Sequence, residues 1–357
     1  MRLYLGTYTR TTPGGAHRPE AIFQFDLDAA TGRLTPLGVT CGVRNPSYLA
    51  FSPDGAYLYA VSETGDSPEE RSGGAAAFKV EAGGSLTLLN QQVTHGAAPC
   101  YVSTDRAGRL LFAANYHSGT LTVFPILPGG ALAEASQVIQ HQGRSVFSPN
   151  QDSAHAHSIL PDPANRFVLA ADLGMDQVRI HRLDAAGGQL VFHGAAHLRP
   201  GAGPRHIVFH PNQRWVYVSN ELDSTVSAFQ WDAEAGTLTE TGTLPTLPPA
   251  PASQSEKPAN AVADLHLTPD GRFLYVSNRG HNSLARYAVD SLSGALTALG
   301  HTSSGGSWPR GFDISPDGCW LVCAHQHSND VFVFEIDPLT GDLLPREEKV
   351  TVPAAVC

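Results

Sequence analysis

The sequence predicts an all-β protein, a seven-bladed β-propeller with four-stranded antiparallel blades, its ring closed by pairing of the N- and C-terminal strands. Three observations predict it. A hairpin pattern recurs without gaps at 46–63, 99–116, 156–173, 204–221, 262–279 and 309–326. Its turn positions, Gly55, Gly108, Asn165, Gln213, Gly271 and Gly318, lie 53, 57, 48, 58 and 47 residues apart, a period expected of propellers and other repeat architectures. No stretch carries a convincing 3.6-residue periodicity, and 35 glycines with 26 prolines mark many turns.

The copy from Gly203 to Glu221 shows why the pattern reads as a hairpin. Ile207 to Phe209 and Trp215 to Val218 are β-branched or aromatic, while His210 to Arg214 carries Pro, Asn and Gln. In an antiparallel pair the start of the first strand and the end of the second share one edge, so Arg205 and His206 meet Asn220 and Glu221 there. The turn lies at the far edge. A third and a fourth strand follow each hairpin, as in Val331 to Ile336, then a turn at Asp337 to Gly341, then Leu343-Leu344. Four strands make a blade.

The chain ends supply the seventh blade. Met1 to Tyr8 matches the second strand of the hairpin, and Ile22 to Leu27 and Arg33 to Val39 give a third and fourth. The missing inner strand is Pro353 to Cys357, in register with Pro46 to Ala50. Pairing the two ends removes an open sheet edge. Residues 1–357 therefore read as one propeller domain with two insertions, Thr64 to Ala77 and Thr243 to Ala261, which read as loops: spacers, or a rim over the channel mouth.

A chain of 357 residues, 42% of them hydrophobic, can bury one large β core. The net charge of -10 argues against nucleic acid or an anionic membrane as the main partner, since both favour a basic face. No apolar run reaches transmembrane length, and Arg2-Leu3-Tyr4-Leu5 is too short for a signal h-region, so a cytoplasmic protein is expected. Cys41, Cys100, Cys319, Cys323 and Cys357 are scattered without a C-x-x-C pair. They read as buried thiols rather than a disulfide framework or zinc knuckle. Oligomeric state leaves no signature.

Chemistry emerges when the repeats are read as columns. The second position of the inner strand is Ser47, Cys100, His157, Arg205, Ala263, Arg310 and Ala354, and the next is Tyr48, Tyr101, Ser158, His206, Asp264, Gly311 and Ala355. The end of the second strand runs Ser62-Glu63, Asn115-Tyr116, Asp172-Leu173, Asn220-Glu221, Asn278-Arg279, His325-Gln326 and Thr7-Tyr8. Packing alone would repeat a residue type, as the Ser-Pro-Asp-Gly turn edge does. One mouth is thus generic, and the other gathers His155, His157, Arg205, Glu221, Arg279, Arg310 and His325 around the axis.

Each residue also has a plainer reading. Arg205 and Glu221 can pair within their own blade as two half-buried charges. His155 and His157 share one strand face and would suit a two-histidine metal site, but a third ligand is not obvious, so neither metal nor cofactor is expected. His206, His210 and His266 read as packing or hydrogen-bonding residues. Three arginines in one funnel are harder to explain structurally, because like charges repel unless an anion is bound. The mouth is expected to take a small anion.

Ala-His-Ala-His-Ser at 154–158, Ala-Asp-Leu-Gly at 171–174, Gly-Pro-Arg-His at 203–206, Ser-Asn-Glu-Leu-Asp-Ser-Thr-Val at 219–226 and Leu-Tyr-Val-Ser-Asn-Arg-Gly-His-Asn-Ser at 274–283 carry a resemblance. So do Asn-Pro-Ser-Tyr-Leu at 45–49 and Pro-Arg-Gly-Phe at 309–312. With them the whole chain resembles the seven-bladed propeller lactonases, a family that includes propeller-type 6-phosphogluconolactonases and fungal carboxy-muconate lactonising enzymes. The resemblance implies a site at a histidine of the 155/157 pair, Arg205, Glu221 and Arg279, and a place in carbohydrate metabolism, in the pentose phosphate pathway. Two positions depart from the family pattern: Ala154 replaces a common Pro, and His325 a common Asn.

On that reading the substrate is an anionic sugar lactone, a phosphate at one end and an ester carbonyl at the other. Arg310 with Arg205 or Arg279 is expected to hold the phosphate, the remaining arginine the oxyanion, and Glu221 or His157 to activate water. His155, Asn220, Asn278 and His325 complete the expected binding set. No Gly-x-Ser-x-Gly run supports a serine esterase. The alternatives are a muconate-type cycloisomerase using the same arginines, and a non-catalytic propeller that binds an anionic sugar or a protein.

Overall fold

The computed structural model describes residues 1–9, 20–67, 70–249 and 259–357. Among these residues 27 strands form seven antiparallel sheets, six of four strands and one of three, and strands adjacent in sequence are neighbours in each sheet. No helix occurs among the described residues. Blade 5 has the pattern of the rest: Pro204–Phe209 innermost, then Trp215–Asn220, Thr225–Asp232 and Thr237–Pro245. Blades 2, 3, 4, 6 and 7 begin at Leu49, Pro99, Ala156, Ala261 and Pro309.

The hairpin turns set the far edge. All six turn positions read from the sequence adopt left-handed φ between 57° and 76°, including the non-glycine Asn165 and Gln213. That conformation lets the chain reverse within a few residues.

The ring closes at blade 1. Arg2–Gly6, Glu20–Leu27 and Leu34–Cys41 form its three-stranded sheet, and the C-terminal segment supplies the missing inner edge. The Gly6 amide donates to Cys357 O at 3.0 Å, Val356 N to Gly6 O at 3.0 Å and Tyr8 N to Ala354 O at 3.0 Å. Gly311 makes the close fit possible, since a Cβ there would lie 2.5 Å from Val356 O.

Apolar layers between neighbouring blades form the core, and a repeated polar bond pins them. The hydroxyls of Tyr4, Tyr59, Tyr217 and Tyr275, at one position of the second strand, donate to Gly84, Gly130, Gly294 and Gly341 carbonyls of the following blade at 2.7 to 3.0 Å. Blade 7 uses Trp320 instead, whose indole N–H donates to Ala29 O at 3.0 Å across the seam. Each such bond contributes about 1 kcal/mol net and orients a large buried ring.

Both expected loops are shorter than the sequence suggested. Gly74–Val80 is the third strand of blade 2, so the first insertion ends before Gly74. The second loses Thr243 to Pro245 to the strand Thr237–Pro245, and Ala261 opens the next strand. Of the two insertions, residues 68–69 and 250–258 lie outside the described residues, and with them that part of the expected rim.

One irregularity positions the site. In blades 3 to 7 the inner strand shifts register near its start, between Pro99 and Tyr101, Ala156 and Ser158, Pro204 and Ile207, Val262 and Leu265, and Pro309 and Gly311. A β-bulge leaves a residue outside the ladder and re-aims its side chain. The bulged residues are Cys100, His157, Arg205-His206, Ala263-Asp264 and Arg310.

Candidate active site

The bulge turns both Arg205 and His206 toward the axis, where a regular strand would send them to opposite faces. Arg205 Nη1 donates to His206 Nε2 at 3.1 Å. The His206 ring meets Tyr48, Tyr101 and His157 edge-on at 5.6, 5.2 and 5.3 Å, so inner strands of four consecutive blades converge. Behind it, His206 Nδ1 donates to Asp264 Oδ1 at 2.8 Å, and His266 Nε2 lies 3.2 Å from Asp264 Oδ2. Burial, then Arg205, holds His206 down at about 4, so it is neutral and accepts the arginine bond. Burial pulls His266 down, but Asp264 and Asp313 together push it up to about 9.

Glu221 joins two arginines above this layer. Its Oε2 lies 3.0 Å from Arg205 Nε, without the alignment of a hydrogen bond, and 2.8 Å from Arg279 Nη2. Burial would raise the carboxyl, but Arg279, Arg205 and Arg310 together hold it below the usual carboxylate range. Glu221 is therefore ionised and committed to the arginines. Burial, aided by Arg205 and Arg310, brings Arg279 down to about 10, against the pull of Glu221. Arg279 also donates to Ala261 O at 3.2 Å and Val262 O at 3.0 Å, and its guanidinium lies 5.7 Å from the Trp308 ring centroid. This cation–π contact fixes the guanidinium plane.

His157 and Arg310 complete the mouth. Burial, then Arg205, His206, Arg310 and Arg279, keep His157 well below the ordinary histidine value. Its Nδ1 lies 3.7 Å from Cys100 Sγ. The Cys100 thiol is pushed up by burial, then by Glu63, against Arg205 and Arg310, and this makes a thiolate nucleophile unfavourable. Among the described residues Arg310 makes no ion pair or hydrogen bond; its guanidinium lies 5.3 Å from the Tyr8 ring centroid. Despite burial, Tyr8, Glu63 and Glu221 hold it firmly protonated.

Three expected residues lie elsewhere. Asn220 donates to Thr225 Oγ1 at 2.8 Å and Ser227 Oγ at 2.9 Å, and Asn278 to Thr246 O at 2.7 Å and Ser283 Oγ at 3.3 Å. His325 is fully buried, with Nδ1 3.2 Å from Asp330 Oδ1. Asn220 and His325 brace the turn into the third strand inside their own blades, and Asn278 ties that turn of blade 6 to the segment that follows the outer strand of blade 5. Glu221 and Arg279, each one residue further along, face the mouth, as strand alternation requires. His155 sits at the rim, half-buried, with Nδ1 bonded to Tyr116 O at 2.9 Å and its ring stacked on Tyr116 at 4.6 Å. No three His, Cys, Asp or Glu side chains converge to hold a metal among the described residues.

Residues 2–357 match the family profile described as "Lactonase, 7-bladed beta-propeller". The chain belongs to the seven-bladed β-propeller lactonase family. It is 35% identical over 355 residues to a 6-phosphogluconolactonase of Bacillus subtilis, covering 99% of this chain and 96% of the relative. It is 33% identical over 353 residues to a 6-phosphogluconolactonase of Formosa agariphila, covering 97% and 96%. Among solved structures it is similar to a periplasmic gluconolactonase of Pseudomonas aeruginosa, with a TM-score of 0.91, 34% identity and coverage of 100% and 97%.

The lactonase-family resemblance pointed to Arg205, Glu221 and Arg279, and these the structure brings together. It left Tyr8, Glu63, Tyr116 and Trp308 unremarked. The first three share the column of Glu221 and Arg279, so separating that column from its inward-facing neighbours finds them. Trp308 gives a subtler signal: Asn45, Ala98 and Gly203 hold the same left-handed position before the inner-strand proline, and only there does a bulky side chain adopt it, at φ 67°.

Proposed function

We propose that this protein is a lactone hydrolase that opens a sugar lactone phosphorylated at its 6-position, as its relatives' names describe. The observation that carries this reading is a carboxylate-bridged arginine pair, a neutral imidazole and an unpaired arginine in one mouth. Glu221 is held ionised between Arg205 and Arg279 and is a weakened base. His157 is neutral near pH 7 and makes no hydrogen bond through Nε2 among the described residues, which leaves that lone pair for a water proton.

Water attacks the lactone carbonyl as His157 takes its proton, and Arg205 with Arg279 stabilises the oxyanion. When the intermediate collapses, the ring C–O bond breaks and the leaving oxygen takes the proton back from His157, giving a free hydroxyl and a carboxylic acid that releases its proton to solvent as the carboxylate. Arg310 holds the phosphate. No covalent enzyme intermediate is needed.

The test is hydrolysis of 6-phosphoglucono-δ-lactone above its spontaneous rate, measured beside unphosphorylated δ-gluconolactone. Hydrogen bonds to charged groups contribute about 1.5 to 3 kcal/mol, so Arg310→Ala is expected to raise KM for the phosphorylated lactone roughly 10- to 100-fold and leave that for δ-gluconolactone nearly unchanged. Absence of any rate above background in the wild type overturns the assignment. Equal effects on both lactones move the phosphate away from Arg310.

A further inference from the structure

The repeat places a second carboxylate in the mouth with no chemical task assigned to it. Glu63 ends the second strand of blade 2 as Glu221 does in blade 5, and Ser47 occupies the inner-strand position of Arg205. In blade 5 the carboxylate is neutralised by guanidinium groups. In blade 2 the arginine is replaced by a serine, and among the described residues Glu63 makes no ion pair. Its partners are hydroxyls: Tyr8 Oη donates to Oε1 at 2.9 Å and lies 3.0 Å from Oε2, while Ser47 Oγ donates to Oε2. Glu63 is half-buried. It flanks Tyr8, over whose ring the Arg310 guanidinium lies at 5.3 Å.

A carboxylate offers about four acceptor directions, and two hydroxyl protons occupy about half of them. The remainder suit further hydroxyls beside a cation that suits a phosphate. A polyhydroxylated phosphorylated lactone presents both groups. A dicarboxylic substrate could satisfy the three arginines but would bring a negative charge against Glu63. Glu63 is bonded to the Tyr8 hydroxyl and Arg310 lies over the Tyr8 ring, so an anion bound at Arg310 comes within range of Glu63.

Resting on the lactone-hydrolase reading, we propose that Glu63 is a specificity residue: it binds the hydroxyls of a phosphorylated sugar lactone and excludes dicarboxylates from the same mouth. The experiment compares wild type, Glu63→Gln and Tyr8→Phe, with turnover of 6-phosphoglucono-δ-lactone and calorimetric binding of cis,cis-muconate as the dicarboxylate probe. Glu63→Gln is expected to raise KM about tenfold with a smaller change in kcat, and to tighten muconate binding about tenfold. Tyr8→Phe removes a hydroxyl but keeps the negative charge, so muconate stays weakly bound.

Unchanged muconate affinity in Glu63→Gln overturns the proposal, as does equal tightening in Tyr8→Phe, which would assign the effect to the scaffold. If Glu63→Gln is too unstable to assay, Ser47→Arg restores the pairing of blade 5 on blade 2 and is expected to give the same gain in muconate affinity; no gain there overturns the proposal. Muconate binding is read without turnover. A wild type that hydrolyses no lactone therefore defeats the hydrolase reading alone, while these affinities still decide the role of Glu63.

Discussion

Glu221→Gln tests the charge arrangement most directly, because one carboxylate oxygen faces both buried arginines. Its contacts of 3.0 and 2.8 Å set an upper limit of about 5.8 Å between the two guanidinium nitrogens. At that range two positive charges repel by about 3 kcal/mol at an effective dielectric near 20. Side-chain exposures of 2% and 16% for Arg205 and Glu221, and 5% for Arg279, leave little solvent to relieve it. Removing one partner of a buried pair costs about 3 to 5 kcal/mol, and glutamine keeps the shape, so a loss of about 3 kcal/mol is expected. An unfolding entropy of about 2.1 cal/mol/K per residue over 357 residues converts this to a fall in Tm of roughly 4 °C. Inorganic phosphate should bind the variant more tightly and restore part of the loss. Thermal melts with and without phosphate, and phosphate affinity by calorimetry, check both expectations. A variant that melts with the wild type and binds phosphate no better refutes the neutralising role. In kinetics, His157→Gln is expected to lower kcat roughly 10²- to 10⁴-fold and Glu221→Gln less. The reverse order makes Glu221 the base.

The pH dependence follows from the burial and cationic neighbours that hold His157 well below its ordinary value of 6.5. The depressed imidazole stays neutral as pH falls through 6.5, so the acid limb of kcat/KM is expected below that pH, and a limb at or above it in a pH–rate profile contradicts the assignment. Lactone hydrolysis is also expected to survive chelation, because guanidinium groups supply the positive charge at the carbonyl. Loss of activity with EDTA and recovery with a divalent cation would instead make His155 and His157 ligands.

The fold was legible because its signals were local and repeated. Turn residues that tolerate left-handed φ, strands rich in β-branched and aromatic side chains, and the register match of Pro353 to Cys357 with Pro46 to Ala50 all point to one ring. The mouth was legible only in part. Reading Asn220-Glu221, Asn278-Arg279 and His325-Gln326 as pairs mixed two faces of one strand end, although alternation separates them. Asn220, Asn278 and His325 brace turns, and their polarity alone could not reveal the direction. The bulges were beyond reach for a different reason: whether Arg205 and His206 face the same side depends on which amide leaves the ladder, a choice made by the tertiary fit of blade against blade.

The chemistry lies in departures from sevenfold symmetry, and those departures are sterically paired. Blades 1 and 6 place Ala354 and Ala263, both buried, where other blades carry Ser47, Cys100, His157, Arg205 and Arg310. In these two blades the long side chain comes from the second strand instead: Tyr8 in blade 1 and Arg279 in blade 6. Arg279 folds back onto the carbonyls of Ala261 and Val262 beside the small Ala263, and from there reaches Glu221 of the neighbouring blade. A long side chain at 263 would contest that space, and one at 354 would crowd Tyr8 at the seam. Charge distribution around the mouth is thus set by which strand of each blade sends its side chain inward: blade 5 sends both Arg205 and Glu221, blade 6 sends Arg279 from its second strand and Asp264 from its inner-strand bulge, where it bonds His206, and blade 2 sends the carboxylate of Glu63 with no arginine beside it.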